Sequence, residues 1–246
     1  MFMRKGLYVS FTVKSLISVV SAVVFGMLLV VFIGVFSSKV PVTSDSISES
    51  KPLIIIDAGH GGEDGGTQSS TGTLEKDINL SISLKLSLIM SSLGYDTILI
   101  RDEDKMIYGD GCTTQREKKV SDIRNRMAVI DENPDSIFLS IHQNHFSQSK
   151  YNGAQVFYSP NNEKSMLIAD SVQKSIVNLL QNDNERKIKK SGKEIYLLYH
   201  AQSPAVMVEC GFMSNPGEAL LLNDENYQKK MALAIAAGVS EYIKGE

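Results

Sequence analysis

Three short apolar runs, each leading into residues that can do chemistry, constrain this chain more than anything else in it. Leu53-Ile54-Ile55-Ile56 runs into Asp57-Ala58-Gly59-His60-Gly61-Gly62. Residues 136–141 run into His142-Gln143-Asn144, and Ala205-Val206-Met207-Val208 runs into Glu209-Cys210-Gly211-Phe212. Apolar runs of this length without alternation mark strands covered on both faces. The segments between them change to a helical period. Residues 75–93 carry Ile78, Ile82, Leu86, Ile89 and Leu93 on one stripe, widened by Leu80, Leu84 and Leu88, and Gly94 follows as the stop signal. Residues 116–130 form a charged amphipathic pattern that ends before Pro134, and residues 165–180 turn Ile168, Val172, Ile176 and Leu179 inward. Further strands are predicted at 95–100, 155–158 and 195–198, and Tyr227, Met231, Ile235 and Tyr242 mark a closing helix. Residues 103–114 read as a polar loop, and 183–193 as a basic, mobile stretch. Alternating strands and helices predict one α/β domain with a mostly parallel central sheet and helices on both faces. Ligands bind such sheets beyond the carboxyl ends of the strands. His60 and His142 fall there, and Glu209 lies near a strand end.

The first 50 residues belong to something else. No charged residue occurs between Lys14 and Lys39, and residues 16–36 are almost entirely apolar. A bilayer crossing needs about 20 such residues. Arg4, Lys5 and Lys14 precede the run and only Lys39 closely follows it, which keeps the N-terminus in the cytoplasm and exports the remainder. The run exceeds the roughly 7–15 residues of a signal-peptide core and no Ala-x-Ala site follows. It therefore reads as a retained transmembrane helix over 15–36. A cleaved signal is the open alternative, with Val35-Phe36-Ser37 as a poor cleavage site. Residues 1–14 are then a cytoplasmic N-terminus, 37–51 a Ser/Thr-rich linker, and 52–246 the globular domain. Four of the 25 basic and two of the 28 acidic residues precede Lys51, so the part from Lys51 onward carries −5. That argues against nucleic acid, which needs a basic face. Cys112 and Cys210 lack metal-knuckle spacing and read as two free thiols.

Two imidazoles and one carboxylate make a zinc site that keeps a coordination position open for chemistry. His60, Glu75 and His142 supply that set, although 15 and then 67 residues separate them. Each has a plainer reading. A histidine in a glycine loop can be a turn residue, and a glutamate opening a helix is favoured by the macrodipole alone. The glycine loop itself carries two acids and no lysine, so phosphate binding is poorly supported. His145 is an alternative ligand to His142, or a groove residue; His142 ranks first because it directly follows the apolar strand. Glu209 interrupts an apolar strand, where an unpaired carboxylate costs several kcal/mol. It is either salt-bridged or tuned by its surroundings to move a proton.

These motifs taken together, Ile54-Ile55-Ile56-Asp57-Ala58-Gly59-His60-Gly61-Gly62, Glu75-Lys76-Asp77-Ile78-Asn79-Leu80, Phe138-Leu139-Ser140-Ile141-His142-Gln143-Asn144 and Pro204-Ala205-Val206-Met207-Val208-Glu209-Cys210-Gly211-Phe212, resemble the zinc-dependent N-acetylmuramoyl-L-alanine amidases of the type 3 family, over residues 52 to 244. The resemblance implies one Zn2+ per chain held by His60, Glu75 and His142, with Glu209 as the catalytic glutamate. It implies peptidoglycan as substrate, cut at the amide between the lactyl group of N-acetylmuramic acid and L-alanine. A compact domain behind a membrane segment, without wall-binding repeats, is most similar to the germination-specific spore-cortex amidases. This implies a part in muramic-δ-lactam formation, a catalytic domain held outside the cytoplasm on the cell-wall side or in the forespore intermembrane space, and control by an accessory protein or by weak zinc retention. The chain departs from the family pattern at Gln143, at Ile130-Asp131 after Arg126, and at His200. A vegetative wall amidase shares every catalytic residue, and a zinc peptidase or a non-catalytic peptidoglycan-binding protein are the rival readings.

Overall fold

The computed structural model describes residues 51–245, together with residue 20 and residues 23–27, which are helical and exposed. The expected membrane span over 15–36 otherwise lies outside the described residues, as do 1–14 and 37–50. Among the described residues no helix is long and apolar enough to cross a membrane. The chain divides into two units, residues 1–49 and residues 50–246.

The elements of the second unit are β1 (Ile54–Ala58), α1 (Glu75–Ser92), β2 (Thr97–Leu99), α2 (Gln115–Asp131), β3 (Ile137–Asn144), β4 (Gln155–Tyr158), α3 (Glu163–Leu179), β5 (Lys189–Lys190), α4 (Tyr196–His200), β6 (Ala205–Phe212), α5 (Pro216–Asn223) and α6 (Glu225–Gly245). They build one six-stranded sheet in the order β2-β1-β3-β6-β4-β5. Every pairing is parallel except β4 with β6. The predicted α/β architecture is thus the observed one.

Strand alternation sorts the core into two layers. Ile54, Ile56, Leu139, Ile141, Val206 and Val208 face α1, α3 and α6. Ile55, Phe138, Ala205 and Met207 face α2 and α4. Of the predicted stripe of α1, Ile78, Ile82 and Leu86 are buried, joined by Met90, which the stripe did not include, each contributing roughly 1.5–3 kcal/mol relative to exposure. Helix α2 starts at a capping box between Thr114 and Glu117, which satisfies amide donors the first turn would leave unpaired. Gly94, at φ 80°, ends α1 as expected. Cys112 and Cys210 are free.

The structure departs from the sequence reading in three respects. Leu84, Leu88 and Leu93 of the α1 pattern and Leu179 of α3, read as facing inward, are exposed, because the two helices present only a narrow stripe to the core. Residues 195–198 are not a strand but lead into α4, because Leu197 and Leu198 are adjacent and both buried, which a helical turn allows and strand alternation does not. Tyr199 N–H donates to Ile195 O at 2.9 Å and Ala201 N–H to Leu197 O at 2.9 Å. The sixth strand is instead β5, inside the stretch read as basic and mobile; Lys189 and Lys190 pair with Phe157 and Tyr158. Exposed lysines on an edge strand discourage further strand pairing. Strand β3 also runs past His142 to Asn144, with a register shift between those two residues.

Candidate active site

His60 leaves the carboxyl end of β1 on a loop shaped by two buried arginines. Arg101 Nε donates to Ala58 O at 2.8 Å and its Nη2 to Gly59 O at 3.0 Å and to Lys76 O at 2.9 Å. Arg126 Nη1 donates to Ala58 O at 3.0 Å and its Nη2 to His60 O at 2.8 Å. Three successive carbonyls therefore point at guanidinium groups, and His60 adopts φ 63°. A non-glycine residue in this left-handed region costs on the order of 1–3 kcal/mol and persists only where its surroundings dictate it. Arg126 is itself held by ion pairs to Asp57 and Asp122. Asp57 also accepts from Ser140 Oγ at 2.7 Å. Burial alone would raise the Asp57 pKa, but Arg126, His142 and the Ser140 hydroxyl together outweigh it and keep the carboxyl below its ordinary value.

Glu75 opens α1 and points back at that loop. Its Oε1 lies 3.0 Å from His142 Nδ1 and 3.4 Å from His60 Nε2. Three donors fix its orientation: Thr67 N–H to Oε2 at 2.9 Å, Gln143 N–H to Oε1 at 3.1 Å, and Asn79 Nδ2 to Oε1 at 3.3 Å. Asn79 is set in turn by Gly59 O at 3.1 Å and by Gln143 Nε2 at 3.1 Å. The glycines are required by close approach. A Cβ at Gly59 would run into the His142 ring, and one at Gly66 would stand 2.6 Å from Glu75 Oε2. Burial favours a neutral Glu75, yet the two histidines hold it far below the ordinary carboxylate range.

His142, from β3, and His60 pack edge to face with ring centroids 5.0 Å apart. One donor atom from each of His60, Glu75 and His142 lies within 4.8 Å of the others. Burial works against a charged His60, but Asp64 and Glu75 push its pKa up to about 9. Its Nδ1 stands 3.0 Å from Asp64 Oδ2, an ion-pair distance, without the alignment of a hydrogen bond.

Glu209 lies on β6 in register with His142. Its Oε2 is buried with no hydrogen-bond partner among the described residues. Burial, reinforced by Glu75 against the pull of the two histidines, pushes Glu209 up to about 7. No salt bridge to Glu209 occurs among the described residues, so the plain structural account of this carboxylate fails. Beside the cluster a cavity of about 250 Å³ opens between α2 and residues 194–197, floored by Met207 and walled by Ile123.

The four residues singled out from sequence therefore converge, and His142 rather than the exposed His145 joins the cluster. His200, also exposed, stacks on Tyr196 with centroids 4.3 Å apart. Sequence reasoning missed Arg101, Asp57, Asp122 and Asn79 as supports. The signal for Asp57 was present, since an acid ending a buried strand needs a counter-ion.

The sequence profile of the N-acetylmuramoyl-L-alanine amidases matches residues 54–241. The chain belongs to this amidase family. The germination-specific N-acetylmuramoyl-L-alanine amidase of Bacillus subtilis is 31% identical over 198 residues, 80% of this chain and 82% of that protein. The structure of the CwlD amidase from Clostridioides difficile, in complex with the GerS lipoprotein, superposes with TM-score 0.76 at 40% identity, covering 79% of this chain and all of that one. The amidase AmiC2 of Nostoc punctiforme follows at TM-score 0.68 and 28% identity, covering 79% and 98% of the two chains. Among amidases, the likeness thus extends to a germination-specific member.

Proposed function

We propose that this amidase hydrolyses the bond between the lactyl group of N-acetylmuramic acid and L-alanine in spore-cortex peptidoglycan, with His60, Glu75 and His142 holding one Zn2+ and Glu209 as the catalytic glutamate. The observation that carries this reading is the convergence of two imidazoles, a buried carboxylate and a second, unpartnered carboxylate at the carboxyl ends of the central strands. The donor set fits zinc in a catalytic rather than a structural site, because three protein ligands leave room for a reactant. When bound, zinc supplies Lewis acidity, which polarises a carbonyl and makes water acidic near neutral pH.

The protein's own groups supply the rest. Thr67 N–H, Gln143 N–H and Asn79 fix the Glu75 carboxylate, and the two arginines hold His60, so the ligand geometry exists before substrate arrives. Glu209, poised near neutrality, accepts a proton from the attacking water and delivers it to the departing nitrogen. The carbon–nitrogen bond breaks, a carbon–oxygen bond forms, and the products are a lactyl carboxylate and a free L-alanine amino terminus.

The basic-flanked apolar run over 16–36 supports a membrane anchor that places 52–246 on the wall side, reached through the linker 37–51. The lipoprotein seen with the CwlD relative supports an accessory partner of this kind for the present chain. The test is incubation of the full-length chain with cortex muropeptides, followed by mass spectrometry and metal analysis. Stem peptides with free L-alanine amino termini and about one zinc per chain are expected. Full activity after prolonged chelation, or cuts within the stem peptide, would overturn the reading.

A further inference from the structure

The catalytic row continues past Glu209. Gln155 of β4 is registered directly opposite Glu209, so the two side chains share a face of the sheet. Gln155 Oε1 accepts from Arg186 Nη1 at 3.2 Å. From there an aromatic ladder rises to the surface beyond the ends of β3 and β6. The Arg186 guanidinium lies 4.5 Å over the Phe212 ring. Phe212 and Tyr151 are tilted at 6.3 Å between centroids, and Tyr151 meets Phe146 edge to face at 4.9 Å. The Lys150 ammonium sits 5.5 Å over Tyr151.

Phe212 is buried, Tyr151 half-buried, and Phe146 is 47% exposed. A single exposed ring needs no explanation. Phe146 is different: its backbone N–H is fixed by Ser214 Oγ at 3.1 Å, and it caps a stack that reaches the catalytic row. Arg186 donates through Nε and Nη1, and its Nη2 has no hydrogen-bond partner among the described residues. A cleft of about 370 Å³ lies beside Lys150, Tyr151 and Arg186. Asp183 and Glu185 line the same cleft and balance its two cations, so the donor left for a carboxylate there is Arg186 Nη2.

The substrate has two arms at the scissile amide, and the surface offers two different receptacles. The cavity between α2 and residues 194–197 is floored and walled by Met207 and Ile123, which suits small alkyl groups of the peptide arm. Flat aromatic faces suit the C–H faces of pyranose rings. Each turnover also leaves a lactyl carboxylate on the glycan, so a stripped strand is polyanionic, and arginine is suited to carboxylates.

We propose that Phe146, Tyr151, Lys150 and Arg186, backed by the buried Phe212, form the subsite for the glycan strand, continuous with Glu209 on the side away from the metal ligands. This rests on the amidase reading. It makes the enzyme hold the sugar chain that it has already stripped, so that polymer is a better substrate than an isolated muramoyl peptide.

The experiment uses the full-length chain and its Phe146→Ala, Phe146→Ala/Tyr151→Ala and Arg186→Lys variants. One arm compares kcat/KM on polymeric cortex glycan with kcat/KM on a single muramoyl peptide. The other measures binding of peptide-free glycan strands, which requires no turnover. Two lost stacking rings correspond to roughly tenfold, so the double variant should lose about tenfold more on polymer than on the single muramoyl peptide, mainly in KM. It should bind peptide-free strands about tenfold more weakly, with Arg186→Lys in between. Equal losses on both substrates, or unaltered glycan binding, overturn the proposal. Phe146→Ala removes only an exposed ring and decides the same question if the double variant fails to fold. Glycan binding that weakens as expected, in a wild type that frees no L-alanine amino termini, upholds this surface and overturns the amidase reading instead.

Discussion

Glu209 carries a conflict between stability and chemistry that can be measured. Burial raises its pKa from 4.5 to about 7. For a carboxyl whose folded pKa is raised, the stabilising contribution is fully present below the unfolded value and disappears as pH climbs through the folded one. The metal-free protein therefore loses stability on this account between about pH 4.5 and 7, by on the order of 3 kcal/mol. Glu209→Gln removes the ionisation. In chelator, its denaturation midpoint should match wild type at pH 4.5 and exceed it at pH 8; equal midpoints at both would show that the carboxylate is not desolvated. The same substitution should lower turnover by roughly 10²–10⁴-fold, the usual contribution of a positioned proton carrier. Asn79 makes a complementary case. It touches Glu75, Gly59 O and Gln143 but lies outside the donor cluster. Asn79→Ala should weaken zinc binding roughly 10–100-fold, as loss of a ligand's orienting partner does, measured by competition with a chromophoric chelator. Unchanged affinity would make Asn79 a packing residue only.

The supports of the His60 loop come from three separate elements. Arg101 follows β2, Arg126 sits on the inner face of α2, and Asp57 is the last residue but one of β1. Removing one partner of a buried pair leaves the other charge uncompensated, which costs about 3–5 kcal/mol. Arg126→Met should therefore lower the urea midpoint far more than a surface substitution, and Asp57→Asn by somewhat less. The Asp57 pKa is held down, so its contribution is present above the unfolded value near 3.9 and is lost only as pH falls through the lower folded value. The stability gap between wild type and Asp57→Asn should then stay level from pH 7 to 5 and close only in stronger acid. This network also separates what a sequence can reveal from what it cannot. The strand at Ile54–Ile56, the helix opening at Glu75 and the position of His142 are legible because each is a local pattern. Arg101 is not, because its acceptors Ala58 and Gly59 lie 43 and 42 residues away. Strand β5 hides behind Lys189 and Lys190, where an edge position carries no apolar signature. Helix α4 reads as a strand because a run as short as 195–198 has no period.

In the domain as a whole the three proposed metal ligands come from a loop after β1, the start of α1 and the last part of β3, so a bound ion would add to the hydrogen bonds that already join these segments. Anything that binds the native state but not the unfolded one stabilises it by mass action, about 2.7 kcal/mol at a hundredfold excess over Kd. For 150–250 residues each kcal/mol moves Tm by about 2–4 °C, so the stabilisation corresponds to roughly 5–10 °C. Differential scanning of the full-length chain, with zinc at that excess and then with chelator, should show this shift. Glu75→Gln should abolish most of it, because the carboxylate that bridges both imidazoles is gone. Leu88→Ala, at an exposed position thirteen residues along α1 from Glu75, should keep it. A wild type whose midpoint ignores zinc while activity still needs it would mean that the unfolded chain binds the ion as well as the folded one does. A shift that survives Glu75→Gln would place the ion elsewhere, and the ligand set argued from His60, Glu75 and His142 would fall with it.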